Sequence, residues 1–190
     1  MRIPIQTGNG DRLGFRRVRA PSALLAFTLL FAAGSAHAQT GAILCTLTEN
    51  GAPARGTLEA EQSGKEVGSG SCGDPLAVPP GKYRVSVTLD GALDTPTKTA
   101  DVTVTAGKTA RLTIDFKTGV LEVRVEAKAQ GGTAQITVMR GSERIGTVGS
   151  SVPARLSAGA YRVVVRLGGQ ERRFDVDLRP GQRRLVRAQF

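Results

Sequence analysis

Few side chains in this 190-residue sequence have the reactivity to do covalent or acid–base chemistry near neutral pH. There is one histidine, His37, and there are two cysteines, Cys45 and Cys72. Imidazole activates serine and cysteine nucleophiles and ligates zinc, so the fate of His37 decides which reactions remain open. It lies at the end of a segment that reads as a secretory signal. Arg16, Arg17 and Arg19 precede an uncharged apolar run over residues 23–33, and Gly34-Ser35-Ala36-His37-Ala38 follows. Ala36-x-Ala38 is the small-residue pattern of a signal-peptidase site. The run falls short of the ~20 residues a membrane-spanning helix needs. Cleavage after Ala38 is expected, with an uncleaved anchor as the alternative. The mature chain then begins at Gln39, holds no imidazole and does not span a membrane.

That loss excludes Ser-His-Asp and Cys-His nucleophile systems and histidine zinc sites, and two cysteines alone cannot build a four-thiolate site. Neither a GxGxxG turn between strand and helix nor a GxxxxGK[ST] loop occurs. Carboxylates are scattered along the chain. The expectation is a protein that is not an enzyme and takes no metal or cofactor. An enzyme working through carboxylates or backbone groups stands as the last alternative.

Cys45 shares the alternation of Ile43 and Leu47, whereas Cys72 sits in the turn Gly70-Ser71-Cys72-Gly73. Two cysteines close together in an exported chain suggest a disulfide. Closing that loop contributes about 3.5 kcal/mol in the chain-entropy description. The alternative is two free thiols, one of them buried. A redox pair would prefer Cys-x-x-Cys spacing, which is absent.

Charge offers a different chemistry. The chain holds 26 Lys and Arg against 16 Asp and Glu, a net +10. The excess is uneven: residues 118–190 hold thirteen basic and six acidic side chains, residues 39–117 eight and nine. In the later segment Arg162 and Arg166 alternate with Tyr161, Val163 and Val165, Arg173 and Arg179 with Phe174, Val176 and Leu178, and Arg183 and Arg187 with Val186 and Ala188. If these three strands are neighbours, six guanidinium groups share one outer sheet face. Arginine suits bidentate recognition of phosphate or carboxylate. Such a face could meet an acidic polysaccharide, an anionic lipid headgroup or an acidic protein. Equally, Asp175 and Asp177 lie on that face and could pair with the arginines across strands. Nucleic acid is not expected, because export removes the chain from cytoplasmic DNA and no aromatic platform interleaves the arginines.

The elements that must hold these residues repeat. Aligning each residue with the one 78 positions later sets Thr40-Gly41 on Thr118-Gly119, Cys45 on Val123, and Gly81-Lys82-Tyr83-Arg84-Val85 on Gly159-Ala160-Tyr161-Arg162-Val163. Four extra residues around Asp90 to Thr97 then reduce the offset to 74, which sets Val102 on Val176, Gly107 on Gly181 and Phe116 on Phe190. The expected organisation is a signal peptide over 1–38 and two repeats over 39–117 and 118–190. Within each repeat apolar and polar residues alternate with period two between Gly- and Pro-containing turns, which predicts half-buried strands. About seven runs per repeat predict an all-β fold of two tandem antiparallel β-sandwiches, immunoglobulin-like or prealbumin-like.

Tyr83 and Tyr161 each open a strand after a glycine turn. Each shares the parity of buried valines, which favours a buried ring with its hydroxyl bonded to nearby backbone over a ring that stacks on a ligand. The segments Val78-Pro79-Pro80-Gly81-Lys82-Tyr83-Arg84-Val85 and Leu156-Ser157-Ala158-Gly159-Ala160-Tyr161-Arg162-Val163 carry a resemblance. So do the closing stretches Val102-Thr103-Val104-Thr105-Ala106-Gly107 and Val176-Asp177-Leu178-Arg179-Pro180-Gly181. Together they resemble bacterial PEGA-type and carboxypeptidase-regulatory-like repeats. The resemblance implies non-catalytic β-sandwich modules of envelope proteins. The function expected is therefore that of an exported, periplasmic, structural or adaptor protein whose partner is another envelope protein. The alternative is capture of an anionic envelope polymer or lipid headgroup by the arginines of the second repeat.

Overall fold

The computed structural model describes residues 39–127 and 132–190. The signal segment and the cleavage point after Ala38 lie outside the described residues. Those residues form fifteen strands and no helix. The first repeat contains β1 (Gly41–Glu49), β2 (Ala52–Pro53), β3 (Gly56–Gln62), β4 (Lys65–Ser71), β5 (Pro75–Val78), β6 (Gly81–Leu89), β7 (Thr97–Val104) and β8 (Thr109–Phe116). The second contains β9 (Thr118–Glu126), β10 (Gln135–Arg140), β11 (Glu143–Val148), β12 (Ala154–Ser157), β13 (Gly159–Leu167), β14 (Gln170–Leu178) and β15 (Arg183–Gln189).

Each repeat makes a pair of sheets. In the first, β4-β3-β6-β7 faces a sheet in which β1 pairs with β2, β5 and β8. In the second, β11-β10-β13-β14 faces β12-β9-β15. Alternation along the strands sends one side chain in two between the sheets. Ile43, Cys45 and Leu47 of β1 thereby meet Leu58, Tyr83, Val85 and Val87 from the opposite sheet. In the second repeat Leu121, Val123, Val186 and Ala188 meet Ile136, Val138, Tyr161, Val163 and Val165. The two cores are separate clusters, and the strands that build them follow one plan. Even the bulge recurs, between Ala60 and Glu61 on β3 and between Val138 and Met139 on β10.

The strands are antiparallel with one difference per repeat. The last strand does not join its predecessor but crosses to the opposite sheet, where it runs parallel to the first: β8 beside β1, and β15 beside β9. A glycine makes room for each crossing. A Cβ on Gly119 would lie 2.7 Å from Leu178 Cγ, 2.8 Å from the Arg179 carbonyl oxygen and 2.9 Å from that of Gln182. The crossing turn is fixed to the first strand by Gly181 N–H donating to Thr118 O at 2.7 Å and Val120 N–H to Gln182 O at 2.8 Å. Gly41 occupies the same place against Val104 and the carbonyls of Thr105 and Lys108.

Cys45 and Cys72 form the disulfide, with Cα atoms 4.8 Å apart. It joins the buried centre of β1 to the turn that leaves β4, and so links the two sheets of the first repeat across their core. The same turn is held by Gly73 N–H donating to Cys45 O and Cys72 N–H to Gly56 O, each at 2.9 Å. The second repeat has Val123, fully buried, where the first has Cys45. Replacing both cysteines by alanine is expected to lower unfolding stability by about 2–4 kcal/mol. Urea denaturation of the oxidised protein and the variant checks this, and an unchanged midpoint contradicts it.

Candidate interaction site

The residues that break the repeat do the most specific work. In the second repeat β13 and β14 are joined by Gly168 and Gly169, whose φ values of 55° and 81° suit a tight hairpin that favours glycine. In the first repeat the matching connection, residues 90–96, is longer and reaches onto the second repeat. Leu93 packs against the second core, and its N–H donates to Arg155 O at 2.8 Å. The next residue, Asp94, buries its carboxylate there, with its side chain 1% exposed. Ser157 N–H donates to its two oxygens at 3.1 and 3.2 Å, and Arg140 Nη2 donates at 2.8 Å.

Tyr161 completes this cluster. Its hydroxyl lies 2.8 Å from Ser157 O and 3.2 Å from Asp94 Oδ2, and it accepts from Arg140 Nη2. The guanidinium of Arg140 also stands over its ring, 4.9 Å from the centroid. Burial first, and the Asp94 charge second, push the phenol up to about 12. The tyrosine therefore stays neutral and works as a hydrogen-bonding post. Tyr83 shows the simpler arrangement, with its hydroxyl donating to Pro79 O at 2.6 Å. Both rings are buried.

A second set of bonds lies beside the first. Asn50 and Thr118 exchange two bonds: Asn50 Nδ2 donates to Thr118 O at 3.0 Å, and Thr118 N–H donates to Asn50 Oδ1 at 3.1 Å. Asn50, at φ 53°, and Gly51, at φ 85°, form the tight turn between β1 and β2 that brings the amide to this place. Glu49 accepts from the Thr118 hydroxyl and from Arg155 Nη1, the latter at 2.7 Å, while Arg155 Nη2 donates to Asp90 O. Ala158 N–H donates to Lys117 O at 2.8 Å. These bonds make the junction at residues 117–118 a packed joint with satisfied polar groups.

The six arginines do not share one face. Arg162, Arg166 and Arg173 stand on the outer face of the β13–β14 pair, with Arg179 just beyond the end of β14. Arg183 and Arg187 belong to β15, in the opposite sheet. The cause is the parallel pairing of β15 with β9. The short Arg179–Gln182 connection has hairpin length, but it carries the chain over the sandwich edge.

Carboxylates take up most of the arginines on the β13–β14 face. Arg162 Nε donates to Asp175 at 2.9 Å, its direct cross-strand partner. Arg166 Nε and Arg173 Nε donate to Glu171 at 2.7 and 2.6 Å. On the other sheet Arg183 binds Glu122. Arg187, together with Arg144, Arg172 and Arg184, has no ion-pair partner among the described residues. Hydrogen bonds from Arg183 hold Glu122 below the usual carboxylate range, and those from Arg166 and then Arg173 do the same for Glu171.

Sequence reasoning placed the four extra residues near Asp90 but gave them no role. The available signal was Leu93-Asp94, an apolar residue and an acid inside an insertion that broke the repeat. It also passed over Asn50-Gly51, a dipeptide that favours a tight hairpin turn.

Two outcomes test this geometry. Asp94→Ala leaves Arg140 and the Ser157 N–H without their buried acceptor, and should cost about 2–4 kcal/mol of stability in urea denaturation. A loss below 0.5 kcal/mol, the usual scatter of surface substitutions (about ±0.5), contradicts a buried, engaged carboxylate. The second concerns pH. Lys117 first, then Gly51 N–H at 3.0 Å and Thr48 Oγ1 at 2.9 Å, hold Asp115 down at about 2. A depressed carboxylate stabilises the fold above its unfolded value, about 4, and that contribution disappears as the pH falls through about 2. The melting temperature should therefore fall between these values, and fall less steeply in Asp115→Asn. Parallel slopes would contradict it.

No protein-family model matches the chain, and no curated protein matches it in sequence. Among solved structures it is similar to the TIE protein of Bacillus anthracis, at 15% identity and TM-score 0.39, over 80% of this chain and 33% of that one. It is also similar to a candidate adhesin from Bacteroides ovatus, at 8% identity and TM-score 0.40, over 73% and 76%. A third is a fimbrial protein from Bacteroides ovatus ATCC 8483, at 9% identity and TM-score 0.29, over 79% and 48%. The chain thus spans a third of the length of the TIE protein and about half of the fimbrial protein.

Proposed function

We propose that this is an exported, non-catalytic envelope protein that works as a rigid two-module adaptor. The observation that carries this reading is the joint: a buried carboxylate and its donors hold two β-sandwiches together while their outer sheet faces stay exposed. A spacer that presents two faces in fixed relation needs such a joint and gains nothing from a reactive site. Among the described residues, the shifts of Asp115, Glu122, Glu171, Tyr161 and Arg140 all lead away from neutrality. A general acid or base works best when its pKa lies near the operating pH.

In this reading residues 1–38 are a signal removed after Ala38, residues 39–117 and 118–190 are modules of PEGA-like type, and the partner is another periplasmic or surface protein. A second reading is favoured by the unpaired Arg187. The arginines of the second repeat (Arg162, Arg166, Arg173, Arg179, Arg183 and Arg187) would then capture an anionic envelope polymer or lipid headgroup. The test is to express the tagged full chain in its host, fractionate the cells and cross-link the envelope. The adaptor reading expects a product beginning at Gln39 in the envelope fraction and a discrete cross-linked protein adduct. A full-length product in the cytoplasm contradicts it.

A further inference from the structure

The outer face of the β12-β9-β15 sheet carries a built cluster. Val123, Val186 and Ala188 point into the core, so Glu122, Arg124 and Glu126 of β9, and Arg183, Leu185 and Arg187 of β15, face outward; Glu126 lies at the end of β9 and makes no ion pair among the described residues. Glu122 is nevertheless only 8% exposed. Arg183 covers it, with Nη2 and Nε donating to Oε2 at 2.5 and 3.2 Å, and Arg124 Nη2 approaches Oε1 at 3.4 Å. One recessed carboxylate thereby fixes two guanidinium groups and neutralises only one of them. Arg187 then stands directly opposite Arg124 across the parallel pair. Like charges in that position destabilise a sheet.

The first repeat shows that the sheet does not need this arrangement. The same positions on β1 and β8 hold Leu44, Thr46, Thr109 and Thr113 in place of Glu122, Arg124, Arg183 and Arg187. The carboxylate and the three arginines are present together in one repeat and absent together from the other. The outward face of β8 carries Arg111 and Asp115 instead, at the places of Leu185 and Gln189, with Leu44 where the second repeat has its recessed acid. An unpaired Arg187 opposite Arg124, with Arg124 and Arg183 sharing one carboxylate, is the arrangement an external anion would stabilise.

We propose that the strip formed by Arg124, Arg183 and Arg187 on Glu122 binds an acidic polysaccharide. This rests on the anion-binding reading above and narrows it to one sheet and one polymer class. Arg183 and Arg187 are four residues apart on one strand, about 13 Å at the usual rise, too far for one phosphate or carboxylate to bridge. An extended chain with repeated carboxylates reaches both. A lipid surface fits less well, since interfacial binding combines charge with inserted apolar side chains. The exposed large hydrophobics among the described residues, Val67 and Val152, lie on neither β9 nor β15. Both tyrosines are buried, so no tyrosine ring stacks on the sugars and salt screening weakens the interaction.

The test is calorimetric titration of the full mature chain with polygalacturonate at low salt, with neutral dextran and phosphatidylglycerol vesicles as the other arms. Arg183→Thr with Arg187→Thr copies the first repeat and should weaken polygalacturonate binding about tenfold or more, with a salt slope lower by about two. Arg55→Thr with Arg84→Thr removes the same charge from the first repeat and should change affinity less than about twofold by screening alone. Equal weakening by the two double variants would show diffuse charge and overturn the strip while leaving anion binding intact. Greater weakening by Arg162→Thr with Arg166→Thr would move the site to the other sheet and overturn it as well. Binding to vesicles but not to the polymer would overturn the polysaccharide, and binding to neither would end the anion reading itself.

Discussion

The fixed relation of the two halves depends on a buried carboxylate. Asp94 brings a negative charge into the contact between the repeats, where an unpaired charge would be costly. The second repeat meets it with Arg140, the Ser157 N–H and the Tyr161 hydroxyl, and the neighbouring Glu49–Arg155 and Asn50–Thr118 bonds secure the flank. The first repeat has no equivalent receiving surface. Gln62, Ala77 and Pro79 stand where the second has Arg140, Arg155 and Ser157, and a proline offers no N–H. The joint is therefore directional: one end of the first repeat fits one end of the second, and a copy of the same contact cannot form on the first repeat's other end.

That direction has consequences for the faces. Because each final strand crosses over to pair with the first, every sandwich closes on itself and its outer faces are left free. Glycine at 41 and 119 is what permits the crossing, since a side chain there would collide with the carbonyls of the turn. The disulfide adds a second sheet-to-sheet tie in the first repeat, while the second uses valine at the same buried point. The repeats then diverge on their surfaces: threonine with Arg111 and Asp115 on one β-face, three arginines about a recessed glutamate on its counterpart.

Much of the fold was legible in the sequence because period-two alternation and the internal alignment report on the same physical fact, a strand with one buried side. Tyr83 and Tyr161 could be placed in the core by their parity with valine, and Cys45 with Cys72 by compartment and position. Sheet membership was not legible in this way. Alternation states which side chains face inward but not which strand lies alongside, so it does not separate Arg183 and Arg187 from Arg162 and Arg173 across a turn of hairpin length. The joint escaped for a related reason. Asp94 gains its meaning from Arg140 and Ser157, 46 and 63 residues away, and no local pattern links them.

In the reading proposed above, the chain acts by what it holds in place. The Asp94 carboxylate and both phenols are engaged within the fold, Arg187 has no ion-pair partner among the described residues, and the outer sheet faces of the two repeats stand at a set angle. The most direct test of that claim is residual dipolar coupling of backbone amides in both repeats in a weakly aligning medium. A single alignment tensor should fit the couplings of β1–β8 and β9–β15 together. Two tensors of different orientation and magnitude would mean that the halves move independently, and would contradict the joint.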